Sequence, residues 1–231
     1  GLPGLFIAAL TALIKEPKRS IANSINANEG APVPLDEVKR FFMQHIDFHF
    51  PHHAAASFSN LALVGINSWV SVYFIRIHGW SLSEAGLNIG MSLILGGLMG
   101  LVGGGFLSDR MSTLFAGGKA IFCLICALMA VPFSILFALT DNAFYALVFF
   151  ALSYGFMVAP IPSAAAILQE VTPNRMRGTL SAFYLLVISI IGLALGATIV
   201  ALINDNFFDG DSGIRESLLI AIPAFNLVAT F

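Results

Sequence analysis

The chain has 231 residues, of which 58% are hydrophobic and only 10% are charged, and its formal net charge is −2. Soluble domains carry roughly 25% charged residues, so this composition excludes an ordinary water-soluble domain. The near balance of acids and bases gives no reason to expect nucleic acid as a partner. The sequence starts at Gly1 and stops at Phe231 inside apolar stretches, without a basic leader. We therefore expect a fragment of a larger membrane protein, cut at both ends.

Runs without Asp, Glu, Lys or Arg recur at lengths that suit a membrane. A helix needs about 20 apolar residues to cross the hydrocarbon core. Five runs meet that length, at 54–75, 85–108, 120–140, 143–169 and 179–204. The apolar segments 2–14 and 218–231 are shorter. The pattern predicts an all-α, polytopic helical bundle with five complete spans and a partial span at each end.

Lysine and arginine divide unevenly between the two sides of this predicted bundle. Nine of them lie in the segments 15–53, 109–119 and 170–178, against Arg76 and Arg215 on the other side. Cytoplasmic loops carry the excess of Lys and Arg. We therefore place these three segments in the cytoplasm, which makes 15–53 a cytoplasmic linker.

The linker has two parts. Residues 23–34 are rich in Asn, Ala and Pro and read as a flexible connection. Residues 35–50 mix charged residues with phenylalanines, which predicts an amphipathic helix on the cytoplasmic face. The alternative is that this segment simply lengthens the following span.

The span 85–108 is dense in glycine. Gly86 and Gly90, and likewise Gly96, Gly100 and Gly104, are four residues apart and share a helix face. Gly192 and Gly196 repeat the spacing in the span 179–204. We expect helix backbones to approach closely at these faces. The faces serve either static packing or sliding of helices during a conformational change.

Charged motifs close two spans on the cytoplasmic side. In the string Gly105-Phe106-Leu107-Ser108-Asp109-Arg110 we expect Gly105 to allow a close helix approach. Asp109 is expected to accept hydrogen bonds from a helix N-terminus, and Arg110 to pair with an acid or a lipid phosphate. Between the last two complete spans, Glu170 is expected to contact Arg175 or Arg177. The alternatives are an ordinary helix-ending loop and simple topology-determining charge.

Polar and aromatic residues inside the spans are candidates for a binding surface, since such groups usually face a cavity or a partner helix. Trp69 lies on one stripe of the span 54–75, with Tyr73 and Arg76. In the span 143–169, Pro160 and Pro162 are expected to bend the helix. The candidate substrate-binding residues are Asn60, Asn67, Tyr73, Arg76, Tyr154 and Tyr184. Arg76 has the alternative of extending to the membrane interface.

The cysteines and histidines give little indication of a reactive or metal-binding site. Cys123 and Cys126 lie in an apolar run without His or acidic neighbours and are interpreted as buried small hydrophobic residues rather than a redox or metal site. His49, His52 and His53 lie near the cytoplasmic interface and can titrate, but clustered interfacial histidines need no functional reason. We expect no catalytic residue, no metal and no cofactor.

Several strings together resemble the major facilitator superfamily, and within it the bacterial spinster-like members. They are Lys15-Glu16-Pro17-Lys18-Arg19, the segment 77–86 (IHGWSLSEAG), the glycine run into Ser108-Asp109-Arg110, and the segment 173–178 (PNRMRG). In that family a G-x-x-x-D-R motif clamps cytoplasmic helix ends in the outward-facing state. Here Met111-Ser112-Thr113 replaces the usual further basic residues, which implies a weaker clamp.

The resemblance implies a domain plan and a function. Residues 1–14 would be the end of transmembrane helix 6, 15–53 the cytoplasmic linker, and 54–231 the C-terminal bundle of helices 7–12 with the last one truncated. The N-terminal half of the same transporter would be its partner, in a bacterial inner membrane and in contact with its lipids. The whole would be a secondary transporter working by alternating access. Spinster-like members move amphiphiles such as lysophospholipids or sphingosine derivatives, and related branches move organic acids and sugar acids by proton symport.

Two other classes of function fit the sequence less well. A polytopic membrane enzyme needs a cluster of acids, His or Cys at membrane depth, and the predicted spans carry none at their centres. A channel needs a self-contained pore or filter motif. The G-x-x-x-D-R string and the long linker argue instead for a carrier.

Overall fold

The structure is a computed structural model, and it describes residues 2–13, 33–208 and 213–230. Helix α1, Leu2–Ala12, belongs to a compact unit of its own. The other unit contains α2 (Leu35–Gln44), α3 (Ile46–His78), α4 (Leu82–Leu98), α5 (Gly104–Leu114), α6 (Gly118–Leu139), α7 (Ala143–Val158), α8 (Ile161–Val171), α9 (Arg177–Phe207) and α10 (Gly213–Val228). The all-α class is confirmed.

Five helical stretches are long and apolar enough to cross a membrane. They are Ile46–His78, Leu82–Leu114, Gly118–Leu139, Ala143–Val171 and Arg177–Phe207. Each contains one of the five runs that the sequence predicts, to within one residue at the end of the run, so the predicted complete spans are confirmed. Helix α10 has 16 residues, fewer than the roughly 20 that a full crossing requires.

Local signals in the sequence end and start these helices. Gly79 has φ 67° and stops α3 in the left-handed conformation that glycine adopts without strain. Ser81 then caps α4, since its hydroxyl accepts a hydrogen bond from the Glu84 backbone N–H while the Glu84 carboxylate accepts one from the Ser81 N–H. Asn142 caps α7 in a similar way, by accepting from the N–H groups of Phe144 and Tyr145. These turns fix the antiparallel connections between neighbouring spans.

Helix α3 is central to the unit from residue 34 onward. It packs against α9 and α10, while α6 packs against α7 and α10, and α4 packs against α7. The buried core includes Ile66, Val70 and Phe74 of α3 together with Phe137 and Phe150. Many large apolar side chains stay exposed on the outside, as expected for a surface in contact with lipid or with other membrane helices.

One row of glycines in α4, in α5 and in the π-helical turn Met99–Gly103 between them forms a close contact with α7, which we call the glycine seam. It pairs Gly96, Gly100 and Gly104 with Ala151, Gly155 and Ala159. A Cβ atom at Gly96 would lie 2.5 Å from the Ala151 carbonyl oxygen, and one at Gly104 would lie 2.7 Å from the Ala159 Cβ. The predicted close approach is therefore confirmed at these three glycines.

The same prediction is wrong at three other positions. Added Cβ atoms at Gly86, Gly90 and Gly105 would meet nothing within 4 Å in the described structure. The physical reason is their position on the helix, since the face that approaches the α7 backbone is the one that carries Gly96, Gly100 and Gly104. At this end of the span it is therefore Gly104, the residue just before the G-x-x-x-D-R string, and not Gly105, that approaches α7 closely.

Helices α3 and α9 meet at a second glycine contact, as predicted. A Cβ atom at Gly196 would lie 3.0 Å from the Leu61 carbonyl oxygen, and one at Gly192 would overlap the Asn60 side chain. Two side-chain hydrogen bonds cross the same interface. Asn60 Nδ2 donates to the Ile188 carbonyl at 2.8 Å, and Trp69 Nε1 donates to the Ala197 carbonyl at 3.0 Å.

The predicted amphipathic segment 35–50 is divided between two helices. Helix α2 ends at Gln44, and His45, with φ −115° and ψ 32°, separates it from α3. Residues from Ile46 onward belong to α3, so both alternatives hold in part: α2 is a separate helix, and 46–50 lengthen the span. The predicted boundary between residues 53 and 54 consequently lies inside a helix. Most of the predicted flexible stretch 23–34 lies outside the described residues.

The predicted break at the two prolines is present. Helix α7 ends at Val158 and α8 begins at Ile161, with a turn at Ala159 and Pro160. Proline has no N–H to donate and its ring clashes with the preceding turn. The span Ala143–Val171 is therefore made of two helical pieces joined at this point.

Candidate functional site: a cavity among the membrane helices

A cavity of about 490 Å³ lies among α3, α6, α9 and the two pieces of the broken span. It occupies the end of the bundle where α3 begins and α8 finishes, which is the end that carries Lys119, Arg175 and Arg177. We call this the basic end. Small side chains open the space, since alanines line it from several helices: Ala55, Ala56, Ala120, Ala127, Ala164 and Ala165.

The helix break contributes directly to the wall. Met157, Pro160 and Ile161 all line the cavity. Because the chain turns at Ala159 and Pro160, α7 and α8 do not form one straight helix there. The cavity therefore lies beside the point where this span is interrupted, a location typical of binding regions in transporters.

Polar groups are few and occupy separate positions along the cavity. Asp47 and His52 lie in the first two turns of α3, at the mouth of the cavity near the basic end, while Asn60 lies deeper in the same helix. Asn60 is held in place by its hydrogen bond to the Ile188 carbonyl. Tyr184 reaches the cavity from the second turn of α9. The lining is thus mostly apolar, with acceptor and donor groups concentrated toward the mouth.

Aromatic rings connect two helices at the mouth. The Phe48 and His52 rings stack with centroids 5.2 Å apart and planes at 17°. The His52 ring in turn stacks on Tyr184, with centroids 5.4 Å apart and planes at 27°. This row of three rings, which we call the aromatic stack, links α3 to α9 beside the opening.

Two of the predicted substrate-binding residues, Asn60 and Tyr184, line the cavity. Asn67 donates to the Leu63 carbonyl of its own helix, at 2.8 Å. Tyr154 is half-buried, with its ring 6.1 Å from that of Phe150 in the same helix. Neither Asn67 nor Tyr154 belongs to the cavity wall.

Tyr73 and Arg76 lie far from the cavity, toward the other end of α3. The Tyr73 side chain is fully buried, and its hydroxyl donates to the carbonyls of Phe137 and Ala138 at 3.0 and 3.3 Å. Tyr73 therefore packs between α3 and the end of α6. The expectation that it lines the cavity is corrected. Arg76 is exposed.

The cytoplasmic motif residues make fewer contacts than expected. Asp109 and Arg110 are both exposed. Beside them, the buried Ser163 hydroxyl donates to the Ser108 hydroxyl at 2.7 Å and joins α8 to α5. Ser108, the residue just before Asp109 and Arg110, therefore makes the hydrogen bond between these two helices.

Glu170 forms an ion pair with Lys119 at the start of α6. The predicted pairing of Glu170 with Arg175 or Arg177 is therefore wrong. Arg177 instead donates from Nε to the Thr172 carbonyl at 3.1 Å, and Arg175 is exposed. The spacing along the chain suggested the nearest arginines, whereas the antiparallel packing of α6 and α8 brings Lys119 closer.

A second cavity, of about 580 Å³, runs beside the glycine seam. Its lining includes Leu95, Met99 and Leu107, all exposed on the outside of the bundle, together with Phe122 and Cys126. The only polar side chains there besides Cys126 are Asn88 and Ser92. Since polar groups fix the orientation of a ligand, the cavity with Asn60, His52 and Tyr184 is the better candidate for a specific site.

The described residues contain no group of three or more His, Cys, Asp or Glu side chains placed to hold a metal ion. Cys123 lies in the wall of the first cavity and Cys126 in that of the second. Both cysteines are free thiols. The site therefore offers shape and hydrogen bonding, and the described side chains form no constellation for metal chemistry.

Comparison with known proteins gives consistent matches. The family model described as Major Facilitator Superfamily matches residues 1–197. An MFS-type efflux pump from Mycolicibacterium smegmatis is 28% identical over 178 residues, which are 76% of this chain and 41% of that protein.

Two crystal structures have a similar fold. Both are of a bacterial homologue of the human lysosomal transporter Spinster in inward-facing conformations, one occupied and one unoccupied. Each has a TM-score of 0.68 and 20% sequence identity, and each alignment covers 99% of this chain. The chain spans 56% and 54% of those two chains, so it corresponds to about half of each.

Proposed function

The chain belongs to the Major Facilitator Superfamily, and we propose that it is the C-terminal half of a secondary transporter that moves an amphiphilic, lipid-like substrate by alternating access. Its five apolar helices and its family make it an integral, multi-pass membrane protein of a transporter family rather than an enzyme. A bacterial inner membrane agrees with its bacterial relatives.

The observation that carries the substrate class is the composition of the cavity wall. Removing apolar chain from a hydrocarbon environment into water costs about 0.8 kcal/mol per CH₂. A wall of alanine, leucine, isoleucine and methionine avoids that cost, because a tail that leaves the bilayer enters another apolar environment. Such a wall gives no partner to the many hydroxyl groups of a sugar acid, whose desolvation would be uncompensated.

The polar residues supply the other requirement for an amphiphile. Asp47, His52 and Tyr184 lie at the mouth, and Asn60 lies further in. A headgroup held near the mouth with its tail directed toward Leu63 and Ala127 would match this polarity. The cavity volume of about 490 Å³ lies within the range of about 300–1,000 Å³ that is usual for small-molecule sites.

The broken span and the two glycine contacts support a mechanism in which groups of helices move relative to one another. A span divided at Ala159 and Pro160 lets α8 change its angle without unwinding α7. The glycine seam keeps α4, α5 and α7 together as one body. In this proposal the C-terminal half rocks against the N-terminal half of the same transporter, and α8 adjusts access to the cavity.

The test is uptake into proteoliposomes by the full-length transporter with an inward proton gradient. Labelled lysophosphatidylcholine and a labelled sugar acid are compared, in the parent and in an Ala56→Leu variant that fills the cavity wall. Ala194→Leu is the matched control, since Ala194 is exposed on the outside of α9. We expect lysolipid uptake, lowered about tenfold by Ala56→Leu, which corresponds to about 1.4 kcal/mol, and unchanged by the control.

Three results would contradict the proposal. Uptake of the sugar acid alone would keep the transporter family but replace the substrate class with small organic anions. Equal losses in Ala56→Leu and Ala194→Leu would remove the cavity from the substrate path. Uptake of neither compound, by a transporter shown to be folded by circular dichroism, would reject the lipid-like substrate.

A further inference from the structure

Three histidines occupy one side of the first turns of α3. His49, His52 and His53 are spaced three and four residues apart, so they share a helix face. The ring centroids of His49 and His53 are 5.8 Å apart, and those of His52 and His53 are 5.9 Å apart. His49 is completely buried and His53 is 6% exposed. The three imidazoles therefore form one compact cluster.

Apolar aromatic rings surround the buried part of this cluster. Phe42 of α2 stacks on His49, with centroids 4.6 Å apart and planes at 17°, and meets His53 edge-on at 5.7 Å. Phe183 of α9 contacts both Phe42 and His53, at 5.4 and 5.7 Å. The histidines thus hold α2 and α9 against the beginning of α3.

The third histidine lies in the wall of the cavity. His52 is the middle ring of the aromatic stack with Phe48 and Tyr184, and all three residues line the cavity near its mouth. Separation of His52 from Tyr184 would widen the opening between α3 and α9. The cluster and the mouth are therefore connected through the contact of His52 with His53.

The hydrogen bonding of the cluster suits neutral imidazoles. His53 Nδ1 donates to the His49 carbonyl at 2.7 Å. Among the described residues, both ring nitrogens of His49 and the Nε2 atoms of His52 and His53 are buried without a hydrogen-bond partner. A second proton on any of these rings would place a positive charge among apolar rings and beside another imidazole, which is costly.

We propose that His49, His52 and His53 form a proton-binding site that keeps the mouth of the cavity closed when neutral and opens it when protonated. Each proton comes from water and binds a ring nitrogen, which turns that imidazole into an imidazolium. Repulsion between neighbouring imidazoliums and their need for water then move Phe42 of α2 away from His49 and separate His52 from Tyr184. The direction follows from charge: acid opens the mouth, and alkali closes it.

Other titratable groups face the site from the elements packed against it. Asp47 of α3, Cys123 of α6 and Tyr184 of α9 line the same cavity, while the cavity-lining residues of α8 and those at 229 and 230 are not titratable. The charged residues of α2 are all exposed. Among the described residues that line the cavity, Asp47 is the one acid, and it is exposed. His45, one turn before His49, is exposed as well.

Cys123 provides a reporter, because it lies in the cavity wall. The full-length transporter is placed in nanodiscs with Cys126→Ala, and alkylation of the Cys123 peptide by N-ethylmaleimide is followed by mass spectrometry between about pH 5 and 8, where histidine titrates. Thiol reactivity itself changes with pH, so the rate is divided by that of a His52→Phe variant at the same pH. Phenylalanine keeps a stacked ring but binds no proton.

We expect this ratio to be near one at the alkaline end and to rise about tenfold at the acid end, equivalent to about 1.4 kcal/mol in the opening equilibrium. His78→Gln is the matched control, because His78 lies in the last turn of α3, at the other end of the helix, and does not line the cavity. Its labelling should follow the parent. His52→Gln, which is polar but does not titrate in this range, should behave like His52→Phe.

A ratio that stays constant across this pH range would overturn the proposal, and so would the same loss of pH response in His78→Gln. The proposal rests on the proposed function for what enters the cavity, but labelling requires no substrate. A pH-dependent ratio without lysolipid uptake would therefore support the proton site while rejecting the substrate class. Lysolipid uptake with a constant ratio would support the substrate class and reject the proton site.

Discussion

Replacement of Gly100 by alanine tests the glycine seam. A Cβ atom at this position would overlap the Gly155 carbonyl oxygen and lie 2.7 Å from Val158 Cγ2. Overpacking of this kind costs about 1–3 kcal/mol, and here we expect the upper end, about 2–3 kcal/mol, because the contact is with backbone, which has no other rotamer to adopt. Alanine gains about 0.8–1.0 kcal/mol in helix propensity over glycine. We therefore expect a net destabilisation of about 1–2 kcal/mol.

Two controls separate packing from propensity. Gly90→Ala and Gly103→Ala place the same methyl group in the same span, where nothing lies within 4 Å. Each should be neutral or slightly stabilising. The free energy of unfolding is measured for the purified transporter by titration with sodium dodecyl sulfate in mixed micelles, followed by circular dichroism. Equal values for the three variants would refute a close backbone contact at Gly100.

Three further predictions concern single contacts, with stability measured in the same titration. Tyr73→Phe should lower the free energy of unfolding by about 1 kcal/mol, because it removes the buried hydroxyl that donates to two carbonyl oxygens. Tyr145→Phe, at an exposed site, should leave the free energy of unfolding unchanged. Glu170→Gln should lower the free energy of unfolding by less than about 1 kcal/mol, because Glu170 is largely exposed in its ion pair with Lys119. A larger decrease would indicate that the pair belongs to a buried network. Asp109→Asn should slow lysolipid transport in proteoliposomes without changing stability, because Asp109 is exposed in this structure. Unchanged turnover would remove Asp109 from the conformational cycle.

The sequence predicts the membrane helices well because their signal is local and strong. Runs without charge, capping residues and the two prolines act through the helix that contains them. The break at Pro160 is an example, since the structure has the end of α7 and the start of α8 on either side of it. None of these features requires knowledge of which helices are neighbours.

Contacts between helices are predicted less well, because helical spacing gives the face of a residue but not what that face meets. Tyr73 and Asn60 are both polar residues of α3, yet Tyr73 is buried against α6 whereas Asn60 lines the cavity. Glu170 likewise pairs with Lys119, which lies 51 residues away in the sequence. The alanines that open the cavity carry no signal of their own, since alanine is equally common in closely packed membrane helices.

The division of glycines in α4 and α5 also distinguishes the two interpretations of the glycine-rich span. Gly96, Gly100 and Gly104 meet backbone and Cβ atoms of α7 so closely that sliding along this face would produce clashes at every step. This row therefore favours static packing within the half. Gly90 and Gly103 have open space where a Cβ atom would lie, so the helix surface is smooth there. If helices slide during alternating access, the geometry places that motion on the open face of this span, and the seam carries α4, α5 and α7 along as one unit.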